Sequence, residues 1–130
     1  MRHSIPKFVA AVLLAACTVW GVAAFARGGM EMGSGKSITV KGEILDLACY
    51  LDHGARGAKH QQCALTCLKN GEPMGLITAD GKLYLLLADH QDAKPFNEAK
   101  TYAADQVEVT GPTAEKDGIT GLTVLSVKKL

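Results

Sequence analysis

Cys49, His60, Cys63 and Cys67 fall within one short run, CYLDHGARGAKHQQCALTC, and form the densest set of soft donor atoms in the chain. If residues 59–69 are helical, successive side chains turn by about 100°, so His60, Cys63 and Cys67 fall within an arc of roughly 60°. One helix face then presents an imidazole and two thiols. Cys49 precedes that helix across a glycine-containing loop and can fold back as a third sulfur. Thiolate and imidazole suit borderline and soft transition ions, and a Cys3His set encloses Zn²⁺ tetrahedrally, while Cu(I) accepts the same donors in smaller number. The spacing is Cys-x3-Cys, without Cys-x-x-Cys or Cys-x-x-Cys-His, so neither a thioredoxin-type redox motif nor covalent haem attachment is indicated.

The same cysteines support a second reading. A disulfide from Cys49 to Cys63 or Cys67 would staple the helix to the rest of the domain, and closing a loop of about 15 residues contributes roughly 3 kcal/mol in the chain-entropy model. Cys63 and Cys67 are poorly placed to pair with each other, because adjacent turns of a helix hold the two Cβ atoms too far apart. The chain is then a structural or protein-interaction module of the cell envelope with one spare thiol. His53, four residues after Cys49, is an alternative nitrogen donor or a solvated loop residue, and a polar turn accounts for His90. Asp46 is explained as a solvated strand end. No carboxylate pair or Ser-His-Asp spacing suggests hydrolysis, so the expected role is binding and not catalysis.

The start of the chain sets the compartment. Residues 1–7 are basic, residues 8–26 (FVAAVLLAACTVWGVAAFA) are uncharged, and Ala24-Phe25-Ala26 supplies a small-x-small cleavage signal. This is the pattern of a secretory signal peptide over residues 1–26, and it implies an exported, periplasmic protein. Two other readings compete. Leu14-Ala15-Ala16-Cys17 has the form of a lipoprotein box, and the apolar run is near the ~20 residues that span a bilayer. Membrane association follows only if the leader is retained or Cys17 is lipidated. Without Arg2 and Lys7, twelve basic and thirteen acidic residues remain, so there is no electrostatic footprint for nucleic acid. The three cysteines left are an odd number, which in an oxidising compartment flags a metal ligand or a free thiol.

Residues 27–36 (RGGMEMGSGK) form a glycine-rich tether, and residues 37–130 are one domain. Ile38, Val40, Gly42 and Ile44 alternate with polar residues, and the phase then shifts to Leu45, Leu47 and Cys49. This predicts a long bulged strand ending near Cys49. Residues 59–69 are a short helix stopped by Asn70-Gly71. Two apolar runs flank Asp80-Gly81 within residues 74–90 and predict a hairpin. Pro95 opens a helix to about Ala103. Val107 and Val109 begin a strand before a turn at Gly111-Pro112, and Leu122 to Val127 form the last strand.

Five strands with a helix between the third and fourth is the order of the OB-fold. The fold class is therefore all-β with short helices, a five-stranded OB-fold-like Greek-key barrel with an inserted Cys/His-bearing helix. Residues 38–44 (ITVKGEI), 107–111 (VEVTG) and 121–127 (GLTVLSV) resemble the first and last strands of small exported bacterial OB-fold proteins. The resemblance implies a fold and leaves function to the site. Met30, Met32 and Met74 add thioether sulfur of the kind that prefers Cu(I), similar to exported OB barrels that ferry copper. The chain departs from that pattern, because its one tryptophan, Trp20, lies in the leader.

Overall fold

A computed structural model describes residues 35–130. The expected signal peptide (residues 1–26), the expected tether up to residue 34, Cys17, Met30 and Met32 lie outside the described residues. The elements run β1 (Ser37–Asp46), α1 (Leu47–His53), a 3-10 turn (Ala58–His60), α2 (Gln61–Lys69), β2 (Met74–Ile77), β3 (Leu83–Ala88), α3 (Lys94–Lys100), β4 (Gln106–Lys116), β5 (Ile119–Val124) and β6 (Ser126–Lys129). Strand β1 pairs antiparallel with both β2 and β4, β2 pairs with β3, β3 runs parallel to β5, and β5 returns to β4. The sheet therefore closes. Both β5 and β6 pair antiparallel with β4, and they are separated only at Leu125, whose amide donates to the Thr110 carbonyl. They act as one bent strand. The result is a closed five-stranded, OB-fold-like barrel, all-β with short helices, with the cysteine-bearing helices inserted between its first two strands.

Ile44, Leu76, Leu86, Val107, Leu122 and Val124 fill the barrel. Ala64 and Leu68 of α2 and Ala99 of α3 enter the same core, so the two helices bury their apolar residues against the barrel interior. The expected hairpin forms around Asp80-Gly81, closed by hydrogen bonds from Thr78 N to Lys82 O and Gly81 N to Thr78 O. Helix α3 opens with Pro95 in its first turn, as expected, but stops at Lys100. Among the described residues, no helix is long and apolar enough to cross a membrane.

Three local expectations are corrected. First, β1 carries no bulge, since its two ladders run without interruption from Ser37 to Asp46. The change of apolar phase has another cause: the second half of β1 is buried on both faces. Ile44 points into the barrel, whereas Leu45 joins Leu47 and Ile77 in a smaller cluster with Tyr50, Leu83 and Leu85. Second, Cys49 is not at a strand end but inside α1. Asp46 ends the strand and caps this helix, its Oδ1 accepting from Ala48 N at 3.0 Å, and Gly54 closes it in the left-handed region at φ 66°. Third, β4 runs straight through Gly111-Pro112, because Thr113 to Lys116 still have β5 to pair with. The turn falls at Asp117-Gly118, both at positive φ, where the first-choice hairpin chemistry is an Asp-Gly pair.

Leu47 holds α1 against the sheet. It sits over Gly75 of β2, where a Cβ would come within 2.5 Å of Leu47 Cδ2, so the missing side chain makes the seat for the leucine. Leu47→Ala should empty that seat and lower stability by about 2–3 kcal/mol in denaturant titration, in the lower range of buried leucine truncations. A loss below about 0.5 kcal/mol, the level of ordinary surface substitutions, would show that α1 does not depend on this contact.

Candidate metal centre

Three separate devices assemble the site. The Asp46 cap starts α1 and places Cys49 on its first turn. The chain then returns over β1, where the buried Glu43 carboxylate accepts a hydrogen bond from the Gly57 amide and pairs with Arg56 at 3.4 Å. From Gly57 the 3-10 turn begins, with His60 N donating to Gly57 O at 2.9 Å. Finally, Gln61 Nε2 donates to the Ala103 carbonyl at 3.2 Å, which fixes the start of α2 beside the turn after α3. Cys63 and Cys67 then lie one helical turn apart on α2, facing α1.

The donor atoms of Cys49, Cys63 and Cys67 all lie within 4.8 Å of one another. The three cysteines are free thiols, Cys63 exposed and the other two half-buried. Cys63 leaves the cluster open to solvent. His60 also reaches Cys49, but in a second group that consists of Asp46, Cys49 and His60, again within 4.8 Å of one another. Cys49 is thus common to both groups. The four residues expected from sequence meet around one sulfur, although His60 is grouped with Asp46 and not with the Cys63 and Cys67 sulfurs. His53 and His90 are exposed and belong to neither group. Met74 is buried in the barrel core, and Tyr84 is a core residue as well.

Asp46 is the residue that sequence reasoning misjudged. It is 1% exposed, not a solvated strand end. The signal that could have found it was local: an Asp directly before Leu-Ala-Cys-Tyr-Leu, with Gly54 after His53, is a helix with both ends marked. Among the described residues, Asp46 Oδ2 and His60 Nε2 are buried with no hydrogen bond of regular geometry, and the weak thiol donors of Cys49 and Cys67 are what the carboxylate faces. Buried polar atoms are paired in the great majority of cases, so two orphans beside the same sulfur need a reason.

The carboxylate and the thiols shift one another. Burial works to raise the Asp46 pKa, but the Cys49 and Cys67 thiols and the Ala48 and Cys49 amides outweigh it and hold the carboxyl below its ordinary 3.8. Hydrogen bonding to that carboxylate, then burial and the carboxylate charge, push Cys49 from 9.0 up to about 12. Cys67 is raised by the same carboxylate first, then by burial and by Cys63. Without a metal, Cys49 and Cys67 therefore keep their protons at neutral pH. An ion must displace those protons, so its affinity rises with pH. Because folding raises the Cys49 pKa, the associated stabilisation is complete below pH 9.0 and is lost as the pH climbs towards about 12.

No protein-family model, curated protein or solved structure matches the chain. The site is therefore read from its own geometry.

Asp46→Asn keeps a good helix cap and removes the charge. Titration of the thiolate ultraviolet absorbance should then show the Cys49 midpoint falling from about 12 towards 9.0. An unchanged midpoint would mean that the carboxylate does not control the thiol.

Proposed function

We propose that this is an exported transition-metal-binding protein that holds its ion through Cys49, Cys63 and Cys67, with His60 beside them. One observation carries the reading: three thiols from two different helices converge within 4.8 Å. A disulfide needs two sulfurs, so a staple alone leaves the third thiol of the cluster without a role. Three thiolates are a soft donor set that suits Zn²⁺ or Cu(I). The exposure of Cys63 gives the ion a way in and out, which favours a binding or carrier role over catalysis. The leader read in residues 1–26 would place the site in the periplasm. No basic excess supports a nucleic-acid partner, and the metal ion is the expected one.

The rival is a disulfide-stapled module that contacts another envelope protein. The close approach of Cys49 to both α2 cysteines is also what such a staple requires. Metal and thiol content, measured together on the chain carrying Cys17→Ser, separate the two. Reduced, chelator-free protein should bind zinc or Cu(I) with at least one ion per chain and have its thiols protected from alkylation. Cys63→Ser should weaken the affinity by at least about a hundredfold, since even partners that only orient a ligand are worth 10- to 100-fold. One reactive thiol per chain as isolated, with no metal bound after reductive reconstitution, would establish the staple instead.

A further inference from the structure

The two orphaned atoms beside Cys49 are not used by the three-thiol reading. Asp46 Oδ2 and His60 Nε2 are each buried without a hydrogen bond of regular geometry among the described residues, Asp46 is 1% exposed, and only the weak Cys49 and Cys67 thiols face its carboxylate beyond the cap. Its other oxygen is already engaged by Ala48 N. Asp46, Cys49 and His60 present an oxygen, a sulfur and a nitrogen within 4.8 Å of one another, and Cys49, Cys63 and Cys67 present three sulfurs within the same limit. Each set of three could hold an ion, and the sulfur of Cys49 belongs to both.

We propose that the site holds two divalent cations bridged by the Cys49 thiolate, one completed by Cys63 and Cys67 and the other by Asp46 and His60. The inference rests on the three-thiol reading and extends it. A zinc-sulfur bond is about 2.3 Å, so one bridging sulfur holds its two ions no more than about 4.6 Å apart. That separation is compatible with two groups that meet at a single atom. Charge supports the pairing as well. Three thiolates and one carboxylate carry four negative charges, which two divalent ions balance, whereas one divalent ion leaves an excess of two beside the buried Asp46 carboxylate. Uncompensated buried charge is costly, and removing it favours the second ion. The second position is borderline in donor type, with carboxylate, imidazole and one thiolate, so it takes Zn²⁺ and not Cu(I).

The backbone is arranged to present this second set. Asp46 stands at the junction of β1 and α1, and His60 is brought back over the sheet by the Glu43 contacts to Arg56 and Gly57. Neither residue needs a new fold to ligate.

Titration of the reduced full chain carrying Cys17→Ser with Zn²⁺, read by native mass spectrometry and by elemental analysis after desalting, tests the proposal. Two zinc ions per chain are expected. Asp46→Asn, which preserves the cap, and His60→Gln should each reduce the count to one, and Cys49→Ser should leave neither position intact. One zinc in the unsubstituted cluster, or two that survive both the Asp46 and His60 changes, would overturn the second position and leave the three-thiol reading standing. No zinc under any condition would overturn the second position, and no Cu(I) either would overturn the three-thiol reading as well.

Discussion

The carboxylate of Asp46 is the interaction on which the site depends. It is placed where β1 must end, and one oxygen converts the end of a strand into the start of a helix by accepting from Ala48 N. An N-cap of this kind is worth about 1 kcal/mol, which is modest. Its structural consequence is larger than its energy, because α1 carries Cys49 and its first turn is held by this carboxylate together with the Leu47 amide's bond to Pro73 O at 2.9 Å. The same carboxylate faces the sulfurs and keeps Cys49 and Cys67 protonated until an ion arrives. The barrel makes this possible. Ile44 and Leu45 are buried on opposite faces beside Asp46, so the carboxylate has little freedom to turn away.

The chemistry of an empty and a filled site differs in charge. Protonated thiols around an ionised Asp46 bring one negative charge into the cluster. Ligation strips the thiol protons and replaces them with the ion. The device therefore favours an empty site that is neutral at Cys49 and Cys67 and resistant to oxidation there, since the thiolate is the reactive form. Cys63, the exposed member, meets solvent first. In the proposed binding role, metal enters from that side, and the half-buried Cys49 and Cys67 complete its coordination.

Much of the barrel was legible because its signals are local. Asp80-Gly81 between apolar runs, Pro95 in a first helical turn and Asn70-Gly71 after a helix each need only a few residues to be recognised. The expectations that failed depended on tertiary context. Leu45, Leu47 and Cys49 look like a continuing strand, yet Leu47 is the anchor of a helix that packs over Gly75. Gly111-Pro112 looks like a turn, yet β4 continues because β5 lies alongside its second half. At the site, the shared helix face of Cys63 and Cys67 followed from spacing, and Cys49 joined them only on the expectation that its loop could fold back. The involvement of Asp46 did not follow, because an acid before an apolar run gives no sign of burial until β1 is known to be covered on both faces. His60 was expected on the sulfur face of one helix, and it sits in the 3-10 turn before α2, beside Asp46 and Cys49.

The central claim is that three thiolates from α1 and α2 ligate one ion. X-ray absorption at the zinc edge of the reduced, zinc-loaded protein tests it most directly, because it reads the donor atoms themselves. A first shell dominated by sulfur at about 2.3 Å is predicted, and a shell of only nitrogen and oxygen at about 2.0–2.1 Å would contradict the account.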